Sequence, residues 1–80
     1  MIQFTTIQSA MRSFPTVVFF EDGEFVAQAL GVSVASSGDS REQALDNLRE
    51  AIELYYDGTT PAQEPRDVSR VSLEAVSVDV

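Results

Sequence analysis

Residues 38–58 read GDSREQALDNLREAIELYYDG and predict a helix whose two ends are both encoded in the sequence. Ser40 is a residue type that caps helix N-termini, and Gln43 three residues later completes the spacing of a capping box. Gly38 offers a positive φ before the helix, and Gly58 stands where a C′ glycine ends one. Apolar residues between these ends recur at intervals of three and four, which predicts one apolar stripe made of Ala44, Leu45, Leu48, Ala51, Ile52 and Tyr55.

Three β-rich segments precede this helix. Residues 14–21, FPTVVFFE, are apolar at both alternating positions, which is typical of a central strand covered on both faces. Asp22 and Gly23 between two glutamates predict a two-residue hairpin of type I′, with a return strand over residues 24–30. Residues 32–36 alternate again and predict a third short strand. The order predicts an α+β domain with an antiparallel three-stranded sheet and one amphipathic helix.

The last eleven residues, 70–80, are strand-like but change parity. Val71, Leu73 and Ala75 share one parity, whereas Val76, Val78 and Val80 share the other. A slip of one residue inverts the faces of a strand. The change therefore predicts a bulge at Ala75–Val76, or a strand that leaves its own sheet to pair with another subunit.

The predicted element order is β-β-β-α-β within a single domain of 80 residues. A chain of this length buries a small core, and it has no cysteine with which to form disulfides. Self-association would supply the missing stability, so we expect a homodimer or a higher homo-oligomer. The expected segments are an N-terminal extension or edge strand over residues 1–12, a core over 14–58, a loop over 59–69 and a C-terminal strand over 70–80.

The charge balance narrows the range of functions. The chain carries 13 acids against five bases, all of them arginine, for a net charge of −8. This balance argues against direct nucleic-acid binding and favours attraction to basic partners. No histidine is present to act as a general base or a metal ligand. The sequence shows neither a signal peptide nor a long apolar run, so we expect a cytoplasmic protein without membrane association.

Acidic residues follow the side of the predicted helix opposite its apolar stripe. Asp46, Glu50, Glu53 and Asp57 are separated by steps of four, three and four, which predicts one acidic ridge. Tyr56 lies off the apolar stripe, and an exposed tyrosine is a common interface anchor. The ridge is interpreted either as a docking surface for a basic partner or as a solvated helix face that keeps the protein soluble. The candidate partner-binding residues are Asp46, Glu50, Glu53, Tyr56 and Asp57.

A second group of acids surrounds the predicted hairpin. Glu21, Asp22 and Glu24 would suit a two-metal nuclease only if a neighbouring strand supplied a further carboxylate from its centre. The chain offers none there, and turn chemistry accounts for Asp22 and Gly23. We therefore expect a non-enzymatic protein with no catalytic residues, no metal site and no cofactor.

The hairpin, the second turn and the helix, in this order, resemble the HicB-like antitoxin family over residues 14–58. This resemblance implies a partial RNase H-like fold. It also implies an antitoxin of a type II toxin–antitoxin system that neutralises a small basic mRNA-cleaving toxin, HicA-like, by covering its active surface. The matching residues are Glu21-Asp22-Gly23 at the hairpin, Leu30-Gly31-Val32 at the second turn, Gly38-Asp39-Ser40 before the helix, and Glu42, Ala44, Leu45, Asn47, Leu48, Glu50, Ala51, Leu54 and Tyr55 along it.

The sequence departs from that family after Gly58. Many family members carry a C-terminal helix-turn-helix or ribbon-helix-helix that represses their own operon. The 22 residues that follow Gly58 here predict a loop and a strand, so DNA binding is not carried over. Short solitary members of the family have no known toxin. The alternative function is therefore an oligomeric protein-interaction module of the same fold without a toxin partner.

Overall fold

A computed structural model describes residues 12–58 and 64–80 of the chain. Its elements are the strands β1 (Thr16–Glu21), β2 (Glu24–Ala29) and β3 (Ala35–Gly38), followed by the helix α1 (Arg41–Tyr56). The strands form one antiparallel sheet in the order β1-β2-β3, which confirms the predicted α+β class, the three-stranded sheet and the single helix. The N-terminal extension predicted over residues 1–12 lies, apart from Arg12, outside the described residues.

The hairpin between β1 and β2 has the predicted turn. Asp22 and Gly23 both have positive φ, at 54° and 84°, as a type I′ turn requires, and Glu21 lies opposite Glu24. This turn twists in the same sense as the strands and so fixes their register, with Val18 opposite Ala27.

The central strand of the described sheet is β2, whereas the sequence predicted that position for residues 14–21. The reason is the pairing of consecutive strands, because β2 pairs with β1 through the hairpin and with β3 on its other side. Ala27 and Ala29 of β2 are small and buried, so α1 approaches closely there. The bulky aromatic residues of β1 lie at the sheet edge, where Phe20 remains 63% exposed. The ring of Phe20 contacts that of Phe25 edge-on, with 5.0 Å between the ring centroids.

The third strand begins later than predicted, at Ala35 instead of Val32. Val32 is buried and packs in the core as part of the turn that follows Gly31, whose φ is 91°. Pairing resumes where the Ala29 amide donates to the Val34 carbonyl at 3.0 Å. The alternation of apolar and polar residues over 32–36 therefore predicted correctly which side chains are buried. It did not predict where the strand begins.

Both ends of α1 are closed by specific hydrogen bonds. The Ser40 hydroxyl accepts a bond from the Gln43 amide at 3.0 Å, which confirms the predicted N-cap. The Gln43 side chain in return accepts from the amide of Asp39, one residue before the cap. At the other end the Asp57 amide donates to the carbonyls of Glu53 and Leu54 at 3.0 and 3.2 Å.

Gly38 and Gly58, which frame the helix, lack the positive φ that the sequence predicted. Among the described glycines, only Gly23 and Gly31 have a positive φ. Gly38 is required by close packing: a Cβ there would lie 2.7 Å from the Ala44 amide nitrogen. The first turn of α1 therefore approaches the end of β3 closely. The helix ends at Tyr56 through the Asp57 bonds, without a left-handed glycine.

The core between α1 and the sheet is small and made of small residues. Its buried members are Ala27, Ala29, Val32, Ala44 and Leu48, flanked by the partly buried Phe14, Val18, Phe25, Val34, Leu45 and Ile52. The helix packs mainly over β2 and β3. Its Asn47 side chain donates to the Ser37 carbonyl at 2.8 Å and so covers part of the β3 edge. The helix side of β1 is left less covered than that of the other two strands.

The C-terminal segment is fixed to the body at its start and free beyond it. The Arg66 amide donates to the Gly31 carbonyl at 2.9 Å, and Pro65 and Val68 are half-buried. The chain then turns at Arg70, whose φ of 57° lies in the left-handed region that few non-glycine residues adopt. Residues 71–80 are exposed and form no strand in the single chain, so the predicted C-terminal strand is not part of its described sheet.

Candidate protein-binding site

The C-terminal half of α1 presents a shallow depression of about 650 Å³ between side chains of mixed character. Successive helical turns bring these residues to one face because they lie three or four positions apart. We call this surface the acidic patch; its residues are Glu50, Glu53, Leu54, Tyr56 and Asp57. Four of the five candidate residues predicted from the sequence therefore lie together.

The fifth predicted residue, Asp46, lies one turn earlier and does not line the depression. Its carboxylate contacts Arg49 at 3.9 Å, and the same guanidinium contacts Glu53 at 3.7 Å on the next turn. All three side chains are exposed, so these pairs contribute only about 0.2–0.5 kcal/mol each. Their main effect is to place one cation beside the patch, which partly offsets its negative charge.

Leu54 is the patch residue that sequence analysis missed. Its side chain is 71% exposed, although leucine is usually buried. The signal was present in the spacing: Leu54 follows Glu50 by four residues and therefore lies on the acidic face, away from the stripe that contains Leu48. The patch thus combines carboxylates with an exposed aliphatic side chain, a composition that suits protein contact better than a purely solvated face.

Tyr56 lies at the border between the patch and the sheet. It is 37% exposed, and its ring lies 6.1 Å from that of Phe14 and 5.0 Å from that of Tyr55. Desolvation by these neighbours raises the pKa of Tyr56, the Tyr55 hydroxyl and the Glu64 carboxylate raise it further, and Arg12 opposes them. At neutral pH the Tyr56 side chain is therefore a neutral phenol.

The hairpin carboxylates lie at the other end of the sheet from the helix C-terminus. Glu21, Asp22 and Glu24 are all exposed, as expected for residues that form a turn. Over residues 12–58 and 64–80, no three acidic, histidine or cysteine side chains are arranged to hold a metal ion.

The acidic ridge predicts a dependence of stability on salt. Asp46, Glu50, Glu53 and Asp57 form three neighbouring like-charge pairs, each costing about 0.2–0.5 kcal/mol at low ionic strength. Raising the salt from about 0.01 to 1 M shortens the Debye length from about 30 to 3 Å and screens them. The same salt also screens the two Arg49 ion pairs, so the net effect is that of about one like-charge pair. We expect the free energy of unfolding to rise by about 0.2–0.5 kcal/mol and the melting temperature by ~1–4 °C.

Thermal melts at the two salt concentrations measure this effect. The control is the neutral double variant Glu50→Gln with Asp57→Asn, whose melting temperature should already be higher at low salt and should respond less. A melting temperature that falls with added salt would show instead that the Arg49 ion pairs outweigh the repulsion.

Together these residues describe a small acidic α+β domain whose distinctive surfaces are a carboxylate-rich helix face and an exposed apolar C-terminal segment. The single helix that the structure describes lacks the length and apolar character needed to cross a membrane. The chain belongs to the family of unknown function DUF7387, whose model matches residues 10–80. No curated protein and no solved structure matches the chain significantly.

Proposed function

We propose that this chain is a non-enzymatic, HicB-like antitoxin of a type II toxin–antitoxin system, acting in the cytoplasm. It would neutralise a small basic mRNA-cleaving HicA-like toxin by covering the toxin's active surface. The observation that carries the proposal is the acidic patch, which gathers Glu50, Glu53 and Asp57 around the exposed Leu54.

The patch has the composition of an interface for a basic protein. Carboxylates steer an oppositely charged partner and fix its orientation, while aromatic and aliphatic side chains at the centre supply most of the binding energy. Leu54 and Tyr56 are suited to that central role, and the carboxylates of Glu50, Glu53 and Asp57 lie beside them. The net charge of −8 strengthens the long-range attraction.

The positions of the HicB-like sequence features also support the proposal. Asp22 and Gly23 form the hairpin turn, Gly31 has a φ of 91° in the second turn, and Ser40 caps the helix. These four residues of the resemblance thus have the local roles, in two turns and a helix cap, that such a motif would require. The partial RNase H-like relationship and a C-terminal strand paired in the assembled protein are parts of the same proposal.

The mechanism is occlusion, in which no covalent bond forms or breaks. A toxin that cleaves RNA needs a basic surface to hold the phosphate backbone. Carboxylates of the patch would compete for the same cationic side chains, and bound protein would block the approach of RNA. Inhibition should therefore be stoichiometric and should weaken as salt screens the charges.

A second function, an oligomeric interaction module without a toxin, is favoured by the C-terminal segment. Apolar side chains of residues 71–80 are exposed in the single chain, with Leu73 at 93%. Exposed apolar residues in such number indicate a protein contact. This contact is separate from the acidic patch, so self-association through it is compatible with either function.

Affinity purification of the tagged full chain from its native cells tests the proposed function. The expected result is a small basic protein, recovered in stoichiometric amount, that cleaves RNA when separated and is inactive in the complex. Recovery of the chain alone as a stable oligomer would contradict the antitoxin function and favour the interaction module.

A further inference from the structure

We propose that residues 71–80 of one chain add to the free edge of β1 in a second copy as a fourth strand. The apolar side chains of the segment would fill the groove between β1 and α1 of that copy. This inference goes beyond the proposed antitoxin function, because it assigns a self-recognition site at a different surface.

Within residues 12–58 and 64–80, β1 pairs with a strand on one side only, which leaves alternate backbone groups on its other side without a strand partner there. The Leu30 amide donates to the Pro15 carbonyl at 2.8 Å, and Glu21 lies opposite Glu24 at the hairpin, so the odd-numbered residues of β1 bond to β2. The amides and carbonyls of Thr16, Val18 and Phe20 therefore point away from the sheet. An edge of this kind is a template for another strand.

The opposite edge of the described sheet is a poorer acceptor. It consists of the four residues of β3, Ala35–Gly38, and the Asn47 side chain already bonds to the Ser37 carbonyl at 2.8 Å. On the β1 side the Thr16 hydroxyl donates to the Phe14 carbonyl at 2.9 Å, just before the strand, and no described side-chain hydrogen bond covers the backbone from Val17 to Glu21. An added strand is therefore assigned to β1.

A groove beside that edge would receive side chains of an added strand. It has a volume of about 290 Å³ and runs between the start of β1 and the middle of α1. Its walls are mainly apolar, and polar or charged residues stand at its rim. The lining residues used here are Phe14, Thr16, Leu45, Leu48 and Ile52, with Arg12 at the rim. The groove exists because α1 packs over β2 and β3 and leaves the helix side of β1 less covered.

The C-terminal segment has the pattern that such a site requires. Val71 and Leu73 alternate with Ser72 and Glu74, and the Ser72 hydroxyl donates to the Glu74 carboxylate at 3.0 Å, which places both polar side chains on one side. A bulge at Ala75–Val76 would shift the later residues by one. Val78 and Val80 would then lie on the same face as Leu73, and Ser77 and Asp79 on the outer face. The parity change thus produces one apolar face over the whole segment.

The donor segment is long enough for the acceptor edge, and both lie within one sequence. Residues 71–80 would span ~33 Å as a strand, which covers the six residues of β1 and the groove beside Phe14. The segment is anchored near the groove, where Arg12 contacts Glu64 at 3.8 Å. Beyond Arg70, Leu73 and Val76 are 93% and 84% exposed, so these side chains do not fill the groove of their own chain. A second copy therefore supplies the strand, and a two-fold arrangement repeats the contact reciprocally.

Sedimentation equilibrium of the full chain and two single variants tests this assignment. Leu73→Asp places a charge on the groove face, whereas Ser72→Asp adds the same charge on the outer face and serves as the matched control. We expect the wild-type chain and Ser72→Asp to have twice the monomer mass of 8.7 kDa. Leu73→Asp should raise the dimer dissociation constant roughly a hundredfold or more, since two buried leucines are lost per dimer.

Cross-linking identifies the acceptor, because the chain has no cysteine of its own. Isotopically heavy Thr16→Cys chain is mixed with light chain carrying Val71→Cys, Leu73→Cys or Ala75→Cys, refolded together and oxidised. We expect one heavy and one light chain in the disulfide-linked product for at least one of these pairs, and little product with the outward-facing Ser72→Cys. A monomeric wild-type chain, or a heavy–light product no more abundant than with Ser72→Cys, would overturn the proposal.

Discussion

Reversing the charges of Glu50 and Glu53 together, as Glu50→Lys with Glu53→Lys, is expected to weaken binding of the proposed basic toxin by roughly 1,000-fold. Both carboxylates line the acidic patch and are exposed, so each can form a charge-assisted bond to a cation on the partner. Losing two such bonds costs about 1.5–3 kcal/mol each, and the new like-charge contacts add to the loss. Isothermal titration calorimetry with the purified partner measures the effect.

The matched control for this prediction is Glu21→Lys with Glu24→Lys at the hairpin. It changes the net charge by the same amount, at exposed carboxylates remote from the patch. If the patch is the binding site, the control should bind within roughly tenfold of wild type, losing only long-range attraction. Equal losses for the two variants would show that overall charge, not the acidic patch, governs binding.

Glu53 lines both the acidic patch and the groove beside β1, and this shared position requires one further measurement. The molecular mass of the Glu50→Lys, Glu53→Lys variant should be determined at the concentration of the binding experiment. We expect the mass of the wild-type assembly, because Glu53 stands at the groove rim and the strand contacts are apolar. If the variant had a different mass from the wild-type assembly, its weaker binding could result from altered self-association and not from the acidic patch.

Replacing Leu48 with alanine is expected to cost about 2–5 kcal/mol of unfolding free energy. Leu48 is 3% exposed and is the largest side chain among the buried core residues. A domain of 80 residues has a total stability of roughly 4–12 kcal/mol, so this single change removes a large share of it. Chemical denaturation should show the loss as a lower midpoint, and thermal melting as a fall of more than about 10 °C.

Leu54→Ala is the matched control on the same helix. The two variants remove the same atoms from leucines six residues apart, but Leu54 is 71% exposed. Its replacement should change the unfolding free energy by no more than about 0.5 kcal/mol, while weakening the partner contact proposed for the patch. Similar destabilisation by the two variants would contradict the packing described for α1.

Local features of the fold were predictable from the sequence wherever one or two neighbouring residues determine them. Asp22 and Gly23 specify the type I′ turn, and Ser40 with Gln43 specifies the start of the helix, because these effects depend on short-range geometry. The presence of one helix over three antiparallel strands followed from the same signals.

Features that depend on tertiary packing were not predictable in the same way. The apolar pattern of β1 indicated a central strand, yet β1 lies at the edge, and the helix packs over β2, where Ala27 and Ala29 are small. Gly38 was interpreted through its backbone freedom, whereas the space beside Ala44 determines its role. Both features depend on how closely the helix and the strands pack. That distance is set by residues far apart in the sequence, so neighbouring residues do not predict it.

The candidate site also has a part that the sequence predicted and a part that it did not. Helical spacing placed Glu50, Glu53 and Asp57 on one ridge, and Tyr56 was added as an exposed aromatic residue off the apolar stripe. The depression in α1 contains all four. Leu54 was not among the predicted partner-binding residues, although it belongs to the HicB-like sequence pattern. Asp46 was included because the ridge was treated as continuous, although the depression begins one turn later.

The most direct test of the central proposal is a titration of the full chain against RNA cleavage by the basic protein that we expect to co-purify with it. The proposed function predicts that cleavage falls linearly and stops near one equivalent, and that Glu50→Lys with Glu53→Lys abolishes this inhibition while Glu21→Lys with Glu24→Lys preserves it. Cleavage that continues unchanged in excess wild-type chain would contradict the antitoxin function.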